Sequence, residues 1–246
     1  MTTSYLVRRA YQWSIVALCV CVACGRVAST ASRDFADERA RMVKEQIAAR
    51  GVTDEHVLTA MRSIPRHEFV PENYRKGSYD DGPLPIGHGQ TISQPYVVAL
   101  MTEQLKPQST HRVLEVGTGS GYQAAVLSGL VAEVYTIEIV EPLGRSAEAI
   151  LNRLGYKNVH VKIGDGYNGW PEHAPFDSII VTCAPDHVPQ PLIDQLKEGG
   201  RMVIPVGPHL AQQLYVLHKE NGQLRQAALL DVRFVPMTRE AARREP

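Results

Sequence analysis

The sequence predicts an α/β fold built on a doubly wound, mainly parallel sheet with an antiparallel hairpin at one edge. Three observations carry that prediction. Apolar runs at 113–116, 134–139, 159–163, 178–183 and 201–205 alternate with helical patterns, as in successive βαβ units. A glycine-rich turn, 117–121, lies directly between the first run and the helix that follows it through Leu130. Two later runs, 214–218 and 228–234, flank Asn221-Gly222, a pair suited to a tight hairpin turn.

Residues 1–32 read as a leader, distinct from the globular body. Arg8 and Arg9 precede the apolar run 14–23, and small residues follow to Ser32. That order of charge, apolar run and small residues is the pattern of an export signal, and the run is short for a bilayer span. Val22-Ala23-Cys24-Gly25 resembles a lipoprotein cleavage site, which makes Cys24 a candidate for lipid anchoring. The expected location is therefore the bacterial envelope or periplasm, with possible attachment to the membrane through this segment. The alternative is a cytoplasmic enzyme with a start codon assigned too far upstream. Of four cysteines, only Cys183 lies outside the leader, so the body can form no internal disulfide and no cysteine-based zinc site.

The body divides into N-terminal helices with a substrate loop (33–105) and a ligand-binding α/β core (106–246), together one globular domain. Phe35, Met42, Val43 and Ile47 form an apolar stripe that predicts a helix over 33–50, stopped by Gly51. Thr53 is the expected N-cap of the next helix, with Asp54 and Glu55 in its first turn and Ser63 at its end. Residues 78–95 are rich in Gly and Pro, and a long loop of this kind inside a compact domain is usually functional. A helix is predicted over 95–105, and further helices over 142–154 and 188–196.

Composition narrows the function. The chain has 246 residues, 44% hydrophobic and 21% charged, within the range of soluble globular proteins. Lys plus Arg and Asp plus Glu are equal at 26 each, so no net positive field exists to hold nucleic acid. No cluster of metal-ligating residues is visible. Nothing in the sequence calls for self-association, and a monomer is expected.

The glycine turn reads Glu115-Val-Gly117-Thr118-Gly119-Ser-Gly121, a G-x-G-x-G spacing. Glycines at such a turn allow close backbone approach to a ligand. Glu115 would repel a phosphate and suits a ligand with an ammonium group, such as the methionine part of S-adenosylmethionine. Glu138 ends the next strand, where a carboxylate can accept both ribose hydroxyls. Asp165-Gly166 follows the third, where an Asp can hydrogen-bond an adenine amino group. Three carboxylates at three successive strand ends fall where α/β sheets bind ligands.

The run 113–127 is very similar to the cofactor motif of the protein-L-isoaspartate O-methyltransferases. So are 85–96, 164–177, 196–207 and 232–238, in the family's order, and the resemblance spans roughly residues 38 to 238. Thr91-Ile92-Ser93 and Gly169-Trp170-Pro171-Glu172 are its more specific parts. The resemblance implies a Rossmann-like class I methyltransferase fold with S-adenosyl-L-methionine as cofactor. It implies that Ser93 is the active-site serine, within a substrate segment Thr91, Ile92 and Ser93. It also implies that Glu115, Gly117, Thr118, Gly119, Gly121, Glu138, Asp165 and Gly166 line the cofactor site. The implied partners are isoaspartyl-containing proteins and peptides, and the implied activity is repair by methylation of their free α-carboxylate. Cys183 stands where the family usually has Ala, Glu198 where Pro is common, and the tail beyond Thr238 diverges. The leader is unusual for a typically cytosolic family.

Ser93 precedes Pro95 at a predicted helix start, where backbone N–H groups favour an anion, and a helix-capping role is compatible with that position. His67, His88 and His173 show no sequence spacing to an Asp or Ser that suggests a catalytic arrangement, and Cys183 is expected to pack as a small hydrophobe. Trp170 is expected to pack rather than to wall the adenine, and Asp80-Asp81 to form a turn. The rival readings are a methyltransferase acting on RNA or a small molecule, and a catalytically silent cofactor-binding module.

Overall fold

The computed structural model describes residues 35–208 and 211–239. The leader assigned to 1–32 lies outside them, as does the tail from residue 240. The described residues from Asp37 onward belong to one compact unit.

Seven strands form the main sheet in the order β5-β4-β3-β6-β7-β8-β9. They are β3 (Arg112–Val116), β4 (Glu133–Glu138), β5 (Val159–Ile163), β6 (Phe176–Val181), β7 (Leu196–Val206), β8 (Gln212–Glu220) and β9 (Gln223–Val232). β5 to β7 pair in parallel, and β8 and β9 are antiparallel. The chain winds outward from β3 through β4 to β5, then returns to β6 on the other side of β3. The strand order therefore reverses between β3 and β6, and the crevice beyond their carboxyl ends is where open α/β sheets bind ligands.

Alternation along the strands builds two cores. Leu114, Val116, Ile137, Ile179, Val181, Met202 and Ile204 bury one face. Val113, Val134, Ile180 and Val203 bury the other, against Met101 and Leu105 of one helix and Ala124 and Leu127 of another. Glu115 shares the face of Val113, opposite Thr136 in register. The helices are α1 (Glu55–Ser63), α2 (Pro95–Leu105), α3 (Tyr122–Ser128), α4 (Glu141–Leu154) and α5 (Gln190–Gln195). None among the described residues is long and apolar enough to cross a membrane.

Four expectations need correction. The cap of α1 is Asp54, whose side chain accepts from the His56 and Val57 amides, while the Thr53 amide donates to Glu103 Oε1 at 2.7 Å. A carboxylate outcompetes a hydroxyl for two amides at a helix start. The helix expected over 33–50 is π-helical over Met42–Ile47 and a 3-10 turn over Ala48–Arg50, before Gly51 takes a left-handed conformation. The region 78–95 is not simply a loop. It holds a two-stranded hairpin, β1 (Leu84–Gly87) and β2 (Gln90–Ile92), closed by His88 and Gly89, both at positive φ. The edge strand β9 starts at Gln223, five residues earlier than its apolar run, because its exposed first half carries no alternation.

Candidate functional site

The strand ends bring the three carboxylates together around the glycine turn, each in a different environment. Glu115 lies fully buried beneath the turn, and neither carboxylate oxygen has a hydrogen-bond partner of good geometry. Burial pushes its carboxyl up to about 8; Thr136 opposite it gives partial relief and the charge of Glu138 opposes ionisation further. A buried, unsatisfied acid at this place fits a cationic group of a ligand.

Glu138 is also buried, yet both of its oxygens are engaged. Oε2 accepts from the Gly119 amide at 2.7 Å and Oε1 from the Val140 amide at 2.9 Å. The carboxylate thus ties the glycine turn to the end of β4, and each oxygen keeps a lone pair for a further donor. Asp165 caps the 3-10 turn Gly166–Asn168 by accepting from the Tyr167 amide at 2.9 Å. Its other oxygen faces Arg239, 3.9 Å away, and the Arg239 guanidinium lies 4.5 Å over the Tyr167 ring. The divergent tail therefore reaches this site through its first residue.

The glycines have separate reasons to be there. Gly117, Gly119 and Gly121 all have positive φ, which side-chain-bearing residues rarely adopt. A Cβ at Gly117 would stand 2.4 Å from Thr182 Oγ1, and one at Gly121 would press on Ala147 and Leu151 of α4. At Gly119 it would reach 3.4 Å from Ile86 Cδ1, which places the β1–β2 hairpin against the turn. Gly166 fits under Val116, where a Cβ would come to 2.4 Å. Thr118 turns inward, its hydroxyl 2.7 Å from that of Thr136, so its side chain holds the turn rather than facing a ligand.

The hairpin carries the predicted substrate segment to the same place. Period-two alternation sends Ile92 into the core and leaves Thr91 and Ser93 on the other face. Both line a groove of about 1070 Å³ together with Gln94, Thr182 and Gly207. Thr182 joins the two halves of the site, because its hydroxyl donates to the Gly117 carbonyl at 2.6 Å. The N-cap of α2 is Gln94, not Ser93. Ser93 Oγ makes no hydrogen bond to another described residue, so it is available to the groove. Its carbonyl accepts from Arg66 at 2.7 Å.

Several participants were invisible in the sequence. Thr182 and Arg66 reach the site from distant segments without a motif, and Ile86, although within the run 85–96, carried no sign of its contact with Gly119. Asp81, expected only in a turn, pairs with Arg50 and accepts from Gln94 Nε2 at 2.7 Å, bracing the groove wall. Cys183 sits 3.6 Å from a Cβ built on Gly117, and burial, with the charges of Glu138 and Glu115, pushes its thiol far above the usual range. It packs against the core as a small hydrophobe, as expected. Trp170 packs edge-on to Tyr135 at 5.5 Å, also as expected. No metal-ligating cluster occurs among the described residues.

A family model described as protein-L-isoaspartate(D-aspartate) O-methyltransferase matches residues 37–242. A protein-L-isoaspartate O-methyltransferase of Opitutus terrae is 57% identical, covering 92% of this chain and 97% of its own. One from a Picosynechococcus species is 55% identical, covering 81% and 89%. A solved protein-L-isoaspartate O-methyltransferase superposes with a TM-score of 0.73 at 34% identity, covering 82% of this chain and 65% of that one. A Plasmodium falciparum protein so described, solved with S-adenosyl-L-homocysteine, gives 0.73 at 27% identity, covering 82% and 99%.

Proposed function

The chain belongs to the protein-L-isoaspartate(D-aspartate) O-methyltransferase family, and from that premise we infer that it methylates the free α-carboxylate of L-isoaspartyl residues in damaged proteins. The observation that carries this reading is the meeting of two sites at Thr182. On one side stands a glycine turn ringed by Glu115, Glu138 and Asp165, and on the other a groove into which Ser93 presents an uncommitted hydroxyl.

S-adenosyl-L-methionine, when bound, supplies an electrophilic methyl group on a sulfonium. Glu138 would take the ribose hydroxyls with the lone pairs it has left, Asp165 the adenine amino group, and Glu115 would place negative charge towards the ammonium. Gly117, Gly119 and Gly166 let the backbone around this site pack closely against Thr182, Ile86 and Val116.

The substrate brings its own nucleophile. In an isoaspartyl residue the chain continues through the β-carbon, and the free α-carboxylate is ionised at neutral pH. No general base is needed, so the protein's task is alignment. The Ser93 hydroxyl donates a hydrogen bond to the carboxylate and orients one oxygen for attack. The ester product then closes to a succinimide without further help, the backbone amide nitrogen displacing methanol from the ester, and hydrolysis of the ring returns some normal aspartate. The experiment that tests this function is transfer of labelled methyl to an isoaspartyl peptide and to its aspartyl twin. Label on the first alone is expected; equal label, or none on either, would overturn the reading.

We also propose that the leader directs the protein to the bacterial envelope, with Cys24 as the candidate lipid anchor. Arg8-Arg9 and the apolar run 14–23 support this. Cell fractionation with mass spectrometry of the mature N-terminus tests it, and full-length protein confined to the cytosol would contradict it.

A further inference from the structure

Arg66 is fully buried, lying in the 3-10 turn Arg66–Phe69 that follows α1. No carboxylate among the described residues lies within ion-pairing distance of its guanidinium. Such a cation is costly to bury and is kept only where its hydrogen bonds are needed. Burial lowers its pKa to about 10, so it remains charged at neutral pH. Nε donates to the Ser78 carbonyl and one terminal nitrogen to the Ser93 carbonyl, both at 2.7 Å. The other terminal nitrogen is buried without a partner. The guanidinium carbon lies 4.8 Å over the ring of Tyr122, the first residue of α3 after the glycine turn.

Ser78 and Ser93 are the two ends of the segment that carries the β1–β2 hairpin. One planar, rigid group therefore fixes the separation of both ends and sets them on the helix that begins at the cofactor turn. The same segment presses Ile86 against Gly119 and delivers Thr91 and Ser93 to the groove. We propose that Arg66 is a positioning residue for methyl transfer, holding the backbone of Ser93 so that the serine hydroxyl meets the substrate carboxylate in line with the methyl group. This rests on the assignment of Ser93 as the carboxylate anchor. A lysine cannot reproduce the effect, because a point charge on a flexible stem does not bridge two carbonyls at fixed spacing.

The test is a double-mutant cycle on an isoaspartyl peptide, with S-adenosyl-L-homocysteine affinity measured by calorimetry in parallel. Arg66→Lys is expected to lower kcat about 10- to 100-fold and to leave that affinity within about threefold. In a Ser93→Ala background, Arg66→Lys is expected to lower kcat by no more than about threefold further, since the hydroxyl it positions is gone. If the full loss recurs in that background, Arg66 is structural and the proposal fails. It also fails if folded Arg66→Lys retains wild-type kcat. Wild-type activity of Ser93→Ala alone would instead remove the serine assignment. Should Arg66→Lys not fold, an ester in place of the Ser93–Gln94 peptide bond weakens the Ser93 carbonyl as an acceptor and keeps every side chain. A drop in kcat of about 3- to 10-fold is then expected, and an unchanged kcat would overturn the proposal.

Discussion

Replacing Glu138 by Ala removes two things at once, and the structure lets their sizes be separated. The carboxylate accepts from the Gly119 and Val140 amides at 2.7 and 2.9 Å while almost wholly buried. A hydrogen bond to a charged acceptor contributes about 1.5–3 kcal/mol. Losing the ribose acceptor alone should thus weaken S-adenosyl-L-homocysteine binding roughly 10- to 150-fold. Losing the strut to Gly119 also frees the turn and costs about 2–4 kcal/mol of stability, because two amides lose their partner. Glu138→Gln separates the terms: its one oxygen can satisfy one amide, while its NH2 group faces the other. It should therefore bind more weakly than wild type and unfold at a temperature between those of wild type and Glu138→Ala. Calorimetric affinity and thermal melting, measured on the same preparations, give both numbers. Unchanged affinity in a folded Glu138→Ala would remove Glu138 from the ribose site. Unchanged stability would refute the strut.

Glu115 predicts a pH dependence of stability. Its folded pKa lies above the unfolded carboxylate value, so the folded state binds the extra proton and stability falls as pH rises from about 5 to 8, by at most about 1.4 kcal/mol per pH unit. Thermal melts of the ligand-free protein should show that fall, Glu115→Gln should flatten it, and saturating S-adenosyl-L-homocysteine should reduce it; a wild-type profile in Glu115→Gln would show that the acid is not responsible. Gly166→Ala puts a methyl 2.4 Å from Val116 Cγ1 and should cost about 1–3 kcal/mol by overpacking. Adding Val116→Ala should recover part of the lost melting temperature, and no recovery would mean that the clash is not the cause.

Where a residue's role followed from its own strand or turn, it could be read before the structure was known. The parallel strands and their terminal carboxylates are of this kind, since apolar runs and the residues that end them are adjacent in sequence. The Asn221-Gly222 turn is another, both residues taking the positive φ that the pair permits. The β1–β2 hairpin was harder, because strands of four and three residues that include Pro85 and Gly87 show no period. Helix α1 displays two capping residues in succession, Thr53 and Asp54, and it is the Asp54 carboxylate that takes the first-turn amides. Arg66 gave no signal, since a buried cation held by backbone carbonyls resembles any surface arginine in sequence. Thr118 sits in the glycine turn, and the direction of its side chain depends on Thr136 across the sheet.

The central claim is that Ser93 aligns a carboxylate that is already ionised, without proton transfer. It is tested most directly by turnover of Ser93→Ala on an isoaspartyl peptide between pH 6 and 8. Loss of one hydrogen bond to a charged group, with some alignment, should lower kcat by about 2–4 kcal/mol, roughly 30- to 1,000-fold. The shape of the pH profile should stay that of wild type, and S-adenosyl-L-homocysteine affinity should change little. Full activity would contradict the anchoring role, and a new pH dependence would show that a proton moves in the rate-limiting step.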